Sequence, residues 1–221
     1  MGKEKKQQTL AEKSSKVQLT RLERLTDVFY AIVIWQIFMM IPTPDSSDEK
    51  WDSLSDYLSD NILIIIVAVI GLVFSSTYWI QSNKLFSVMI RSDKFHTTVS
   101  FFQLIFLISF IYSLSLGIFL GGSAGTWAFE SVTVTLVGVC AWLGLRHALK
   151  NNLVDPRLPE KDSREFISSI KTMPIATGIT IPFAFINLPP IAGFSVPWEL
   201  SWFIYPAFVA IKKLLTKKTE D

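Results

Sequence analysis

Asp27 is a carboxylate at the mouth of an apolar run, with Arg24 three positions before it and Arg21 in the same charged lip. On a helix, Arg24 and Asp27 share a face. An acid so close to a membrane span is costly unless paired, which makes it a functional residue by default. An ion pair that merely fixes the helix start is a compatible reading. Glu130 and Glu199 each open a later apolar run, where a negative side chain is favoured at a helix N-terminus; this reading is preferred to a proton-carrying one. His147, beside Arg146, is expected to make an interface hydrogen bond rather than act as a base, and His96 likewise. The two histidines are too far apart to share a helix face, so no metal site is expected. Cys140, the single cysteine, lies in an apolar run and reads as packing. Gly121 to Gly125 carries no following Lys-Ser/Thr pair and reads as a turn rather than a phosphate loop; no HExxH or CxxC occurs. The residues therefore predict no catalytic site, no cofactor and no enzyme.

The elements that must position these residues are set by hydrophobic blocks. Half of the 221 residues are hydrophobic, and they fall in runs near twenty residues long, separated by short polar links. The pattern predicts an all-α membrane protein with six spans, at about 25–41, 61–80, 97–120, 127–149, 166–188 and 196–215. These form one domain over 21–215, preceded by a basic tail (1–20) and followed by a short one (216–221). The first run, 25–41, would rise roughly 25 Å at about 1.5 Å per residue, just enough for a thin hydrocarbon core. Pro42 and Pro44 end it. Residues 1–20 are expected to be a solvated, frayed tail or a single turn, with no cleavable signal. The acidic link 42–60 is expected to hold a short amphipathic helix with Trp51 and Tyr57 in the headgroup zone. Pro174 and Pro182 bend the fifth span.

Charge supports the same layout. If both ends are cytoplasmic, twenty of the twenty-one Lys and Arg fall on the inner side and only Lys50 lies outside. The formal net charge of +2 gives no reason to expect a nucleic-acid partner. No acid stands at the middle of a span, which argues against an ion-coupled carrier. A pore without buried charge can still gate ions at a ring of apolar side chains that wets and dewets. Most of the serines on the spans (Ser75, Ser76, Ser109, Ser113 and Ser115) are expected to bond back to their own helix or a neighbour.

Arg21, Leu25, Thr26 and Asp27, followed by Phe29, Ala31 and Ile32, resemble the Arg-x-x-x-Phe-Ser-Asp signature of the transmembrane protein 175 family of potassium channels. Trp79, Asn83, Lys84, Phe86 and Asp93 resemble that family's Trp…His-His-Arg-x-Phe…Asp segment. The likeness covers about 21–120 at the level of motifs and the remainder only in span layout. It implies a homotetramer in a bacterial cell membrane, permeable to potassium, with no cofactor and the first span lining the pore. It places Ile32 at the start of the constriction, and helical spacing adds Gln36 and Met39. Arg21, Thr26 and Asp27 would anchor the pore helix, supported by Trp79, Asn83, Lys84 and Asp93. Trp35 stands where the family often has a threonine, and Lys84 replaces a forked arginine. The competing expectation is a non-conducting scaffold or partner subunit whose Trp35 plugs the centre; a secondary transporter ranks third.

Overall fold

The computed structural model describes residues 2–43, 51–120, 123–157 and 160–186, with the side chains of 2–12, 160–166 and 169 outside that description. In order along the chain come α1 (Gly2–Met39), α2 (Leu54–Val88), α3 (Lys94–Phe119), α4 (Ala124–Lys150) and α5 (Glu160–Thr180), the last continued by a 3-10 turn, Ile181–Phe185. The expected all-α class holds among the described residues, apart from one antiparallel bridge between Met89 and Val154. Among the described residues three helices, α2, α3 and α4, are each long and apolar enough to cross a membrane. The second half of α1 and the apolar stretch Ile170–Phe185 are shorter apolar helical segments. The expected sixth span, Glu199 and the tail 216–221 lie outside the described residues.

Local chemistry explains the helix starts. The Ser53 hydroxyl accepts from the Asp56 amide, the Asp93 carboxylate from the His96 amide, and Ser123 and Thr126 form a reciprocal capping box. Each satisfies amide donors that the first turn would leave bare. Two expected boundaries moved. The amphipathic segment near Trp51 is not a separate helix: its residues open α2, because no Pro or Gly separates Leu58 from the apolar run beyond it. There the Trp51 ring meets Tyr57 edge-on at 5.2 Å and its Nε1 donates to Asp60 at 3.2 Å. The Tyr57 hydroxyl donates to the Pro42 carbonyl at 2.8 Å. Nor is the N-terminal segment frayed. It is rich in Lys, Gln and Glu, good helix formers, and continues α1 back to Gly2.

Two apolar clusters organise the bundle. The larger joins Tyr30, Val33 and Ile37 of α1 to Phe74 and Tyr78 of α2, Leu107, Phe110 and Leu114 of α3, Val134 and Val137 of α4, and Met173 of α5. The smaller lies at the end bearing Lys84, Arg91, Lys94 and Lys150, called here the basic end. It gathers Leu22, Leu85, Phe86, Leu145, Leu153, Val154 and Ile170. Between α4 and α5 the backbones nearly touch: a Cβ on Gly138 would lie 3.0 Å from the Pro174 nitrogen. A hydroxyl seam beside that contact joins Thr135 to Thr177 at 3.1 Å and Thr180 to Ser131 at 2.9 Å. Ser109, Ser113 and Ser115 bond back to their own helix as expected, whereas the buried Ser75 hydroxyl has no hydrogen-bond partner.

Candidate pore helix and its anchors

The apolar half of α1 has two faces. Leu22, Thr26, Tyr30, Val33 and Ile37 recur every three or four residues and are buried in the subunit. On the other side Val28, Ile32, Trp35 and Met39 are 56, 46, 65 and 65 % exposed, an apolar stripe that no other described residue covers. Gln36 is exposed as well. At about 100° per residue, Trp35 points most directly away from the buried stripe. Met39 and Ile32 lie progressively off that direction, and Gln36 lies on the flank.

The expected anchors are distributed as follows. Asp27 accepts a hydrogen bond through Oδ1 from Trp79 Nε1 at 3.0 Å, joining α1 to α2 across 52 residues of sequence. No ion pair between Arg24 and Asp27 occurs among the described residues; the acid has the distant indole as its partner instead. Thr26 turns inward and is 3 % exposed, with its hydroxyl unpartnered. Arg21 is exposed and lines a shallow cleft with Lys13, Ser14, Val17 and Gln18. Asn83 is half-buried. Lys84 is exposed, and its carbonyl accepts from the Ser87 hydroxyl at 2.8 Å.

Asp93 does more than cap α3. Its second oxygen meets His147 Nε2 on α4 at 2.6 Å. Asn151 Nδ2 stands 3.1 Å from the other ring nitrogen, and a tautomer with the proton on Nε2 satisfies both contacts. Phe95 lies over the same imidazole at 4.3 Å between ring centres. Partial burial alone would raise the Asp93 carboxyl. The bond from His147, the His96 amide and the nearby histidine charges outweigh it and hold the carboxyl below its ordinary value. The surrounding links are tied in too. Gln18 Nε2 donates to Thr97 Oγ1 at 2.9 Å, the Ser92 amide to the Ser15 carbonyl at 3.4 Å, and the Ile90 amide to the Leu153 carbonyl at 2.9 Å. His96 is fully buried; its Nδ1 lies 3.2 Å from Ser92 Oγ, and Nε2 has no partner.

One feature is not evident from the sequence and a second differs from its expected role. Tyr30, Ser82 and Gln103 bring one polar side chain from each of α1, α2 and α3 together in the core. Gln103 Nε2 approaches Ser82 Oγ at 3.5 Å, and the Tyr30 hydroxyl faces the pair without a well-formed bond. The signal was polar side chains within apolar runs. The second is Glu130. It is the seventh residue of α4, beyond the first turn where a helix dipole acts, so the N-terminal reading does not hold. It is 3 % exposed and packs against α3, where a Cβ on Gly117 would lie 2.6 Å from its Oε1. Its Oε2 has no hydrogen-bond partner. Among the described residues, no three His, Cys, Asp or Glu side chains are grouped to hold a metal ion.

A bundle of long apolar helices on a polar-tied end is the fold of a multi-pass membrane protein. Its architecture is that of the TMEM175 channel homologues. The chain superposes on a lysosomal potassium-selective channel TMEM175 homologue from Chamaesiphon minutus with a TM-score of 0.66 at 13 % identity, over 85 % of this chain and 96 % of that one. It matches a variant of the potassium channel MtTMEM175, solved with a nanobody–MBP fusion, with a TM-score of 0.60 at 18 % identity, over 90 % of this chain and 93 % of that one. At these identities the likeness establishes the fold. No protein-family model matches the chain, and no curated protein matches it by sequence.

Proposed function

We propose that this chain is one subunit of a homotetrameric, potassium-permeable cation channel in a bacterial cell membrane. In this reading α1 lines the pore, with Ile32, Gln36 and Met39 along the path, and both ends of the chain are cytoplasmic. The observation that carries the reading is the second face of α1. A stripe of apolar side chains flanked by an exposed Gln36 is poorly suited to lipid, where the amide would lack partners. It suits a narrow path that is wet when open and dry when closed. Copies meeting around an axis would cover that stripe, and two channels share the fold. Asp27 and Trp79 would hold the pore helix against α2, with Thr26 turned into the core and Asp93 fixing the basic end. Asn83, Lys84 and Arg21 would face the cytoplasm or a neighbouring copy. The permeant ion is K+, and no cofactor takes part.

Potassium efflux from liposomes holding the purified protein tests this. Ile32→Ser is expected to raise the flux or change the ratio of potassium to sodium; unchanged flux with both ions would sink the pore assignment. One observation favours the second reading, a non-conducting scaffold. Trp35, the bulkiest side chain on the stripe, points most directly away from the subunit core and is 65 % exposed. Trp35→Ala separates the two, since flux that appears only in this variant identifies a plug.

A further inference from the structure

We infer that the surface between α4 and α5 at the basic end is a binding site for an anionic phospholipid. The Arg146 guanidinium lies 5.5 Å from the centre of the Trp142 ring, and the Lys171 ammonium lies 5.9 Å from it. Two cations from two helices therefore converge on one indole, each at a distance where a ring quadrupole attracts charge. Neither cation has a carboxylate partner among the described residues, and both are exposed.

The surroundings define the ligand. Trp142 stands one helical turn from Arg146, toward the apolar part of α4, where an indole marks the headgroup level. From Lys171, the exposed positions Ile175 and Ile179 continue along α5 at four-residue spacing, away from the charges. Positive heads, an amphipathic ring and an apolar strip thus follow one another in the order of a phosphodiester, a glycerol backbone and an acyl chain. A free anion would use only the first of these. A neutral, zwitterionic lipid would gain less from two exposed cations, because each Lys or Arg at a membrane surface favours net negative headgroups. The site lies on α4 and α5, apart from the α1 stripe, and does not depend on conduction.

Native mass spectrometry of the detergent-purified full chain tests the assignment, with phosphatidylglycerol, phosphatidylcholine and inorganic phosphate as separate additions. Phosphatidylglycerol is expected to be retained in preference to phosphatidylcholine. Each cation removed, by Arg146→Gln or Lys171→Gln, should weaken retention roughly fivefold, and the pair together about twenty-five-fold. Lys171→Arg should keep it, and gel filtration of each variant checks that the fold survives. Equal retention of the two lipids, or unchanged retention in the double variant, would overturn the proposal. So would displacement of the lipid by millimolar inorganic phosphate, which would make this a site for free anions.

Discussion

The two halves of α1 are held in opposite ways. Toward the basic end the helix is tied by polar contacts to distant parts of the chain: Gln18 to Thr97, the Ser15 carbonyl to the Ser92 amide, and Asp27 to Trp79. Past Asp27, among the described residues, it is held by the apolar face of Tyr30, Val33 and Ile37, while the opposite side is exposed. Hydrogen bonds fix register and direction, whereas apolar packing tolerates small rotations and shifts. A helix fixed at one end and greased at the other has a defined position and a face free to meet other copies. That is the division of labour the proposed pore helix needs.

Adjacent residues give the sharpest way to break this comparison. Val33 is fully buried and Ile32 is 46 % exposed, although they are neighbours of similar size and character. Val33→Ser buries a hydroxyl and leaves a small cavity, and should cost about 3 kcal/mol of stability, read as a lower melting temperature in detergent. Ile32→Ser should change melting little but raise potassium flux by about tenfold, the effect of wetting an apolar constriction. If the two substitutions destabilise equally, α1 has no free face and the comparison fails.

At the tied end the expected effects are smaller. His147→Ala removes the α4 partner of Asp93. Because the two side chains are 21 and 39 % exposed, solvent screens much of the loss, and about 1 kcal/mol is expected. The loss should appear as faster amide exchange at Ile90 and Asp155, whose bonds close the Met89–Val154 bridge. Unchanged exchange there would mean that the basic end is held by packing alone. Trp79→Phe, which keeps an aromatic ring and deletes the donor to Asp27, should cost about 0.5 kcal/mol. In liposomes it should alter flux more than melting if the contact sets the angle of the pore helix. A variant that melts and conducts as the parent does would remove Trp79 from the anchors.

How much of this was legible follows from where partners lie in sequence. The spans of α2, α3 and α4 were readable because uninterrupted apolar runs leave no other use for their residues. The two faces of α1 were not, because core stripe and bare stripe are both apolar and periodicity cannot say which meets the subunit. Spacing from Ile32 led to Gln36 and Met39, yet the side chain that points most directly outward is Trp35. Spacing pairs Asp27 with Arg24, three residues away, whereas its observed partner is Trp79, 52 away. His147 makes the hydrogen bond expected of it, but nothing local named Asp93 as its partner. Glu130 seemed a helix-start acid because α4 was expected to begin at 127; the Ser123 cap moved the start back and put the carboxylate inside.

The smallest effect isolates charge from geometry at the tied end. The Asp93 carboxyl titrates below its ordinary value of 3.8 in the folded protein, because His147 and the His96 amide favour its ionised form. A carboxyl lowered on folding contributes stability that is fully present above the ordinary value and is lost as pH falls through the lowered one. Melting temperature should therefore be insensitive to this group from neutral pH down to about 4, then fall with further acid. Asp93→Asn keeps a side chain able to cap α3 and to accept from His147, but cannot ionise. It should melt slightly below the parent at neutral pH and approach it as pH drops below the carboxylate range. If the difference between parent and variant stays constant across that range, the contact owes its strength to shape and hydrogen bonding alone. Asp93 and Trp79 would then be the same kind of tie, and the basic end would differ from the bare half of α1 in hydrogen bonds but not in charge.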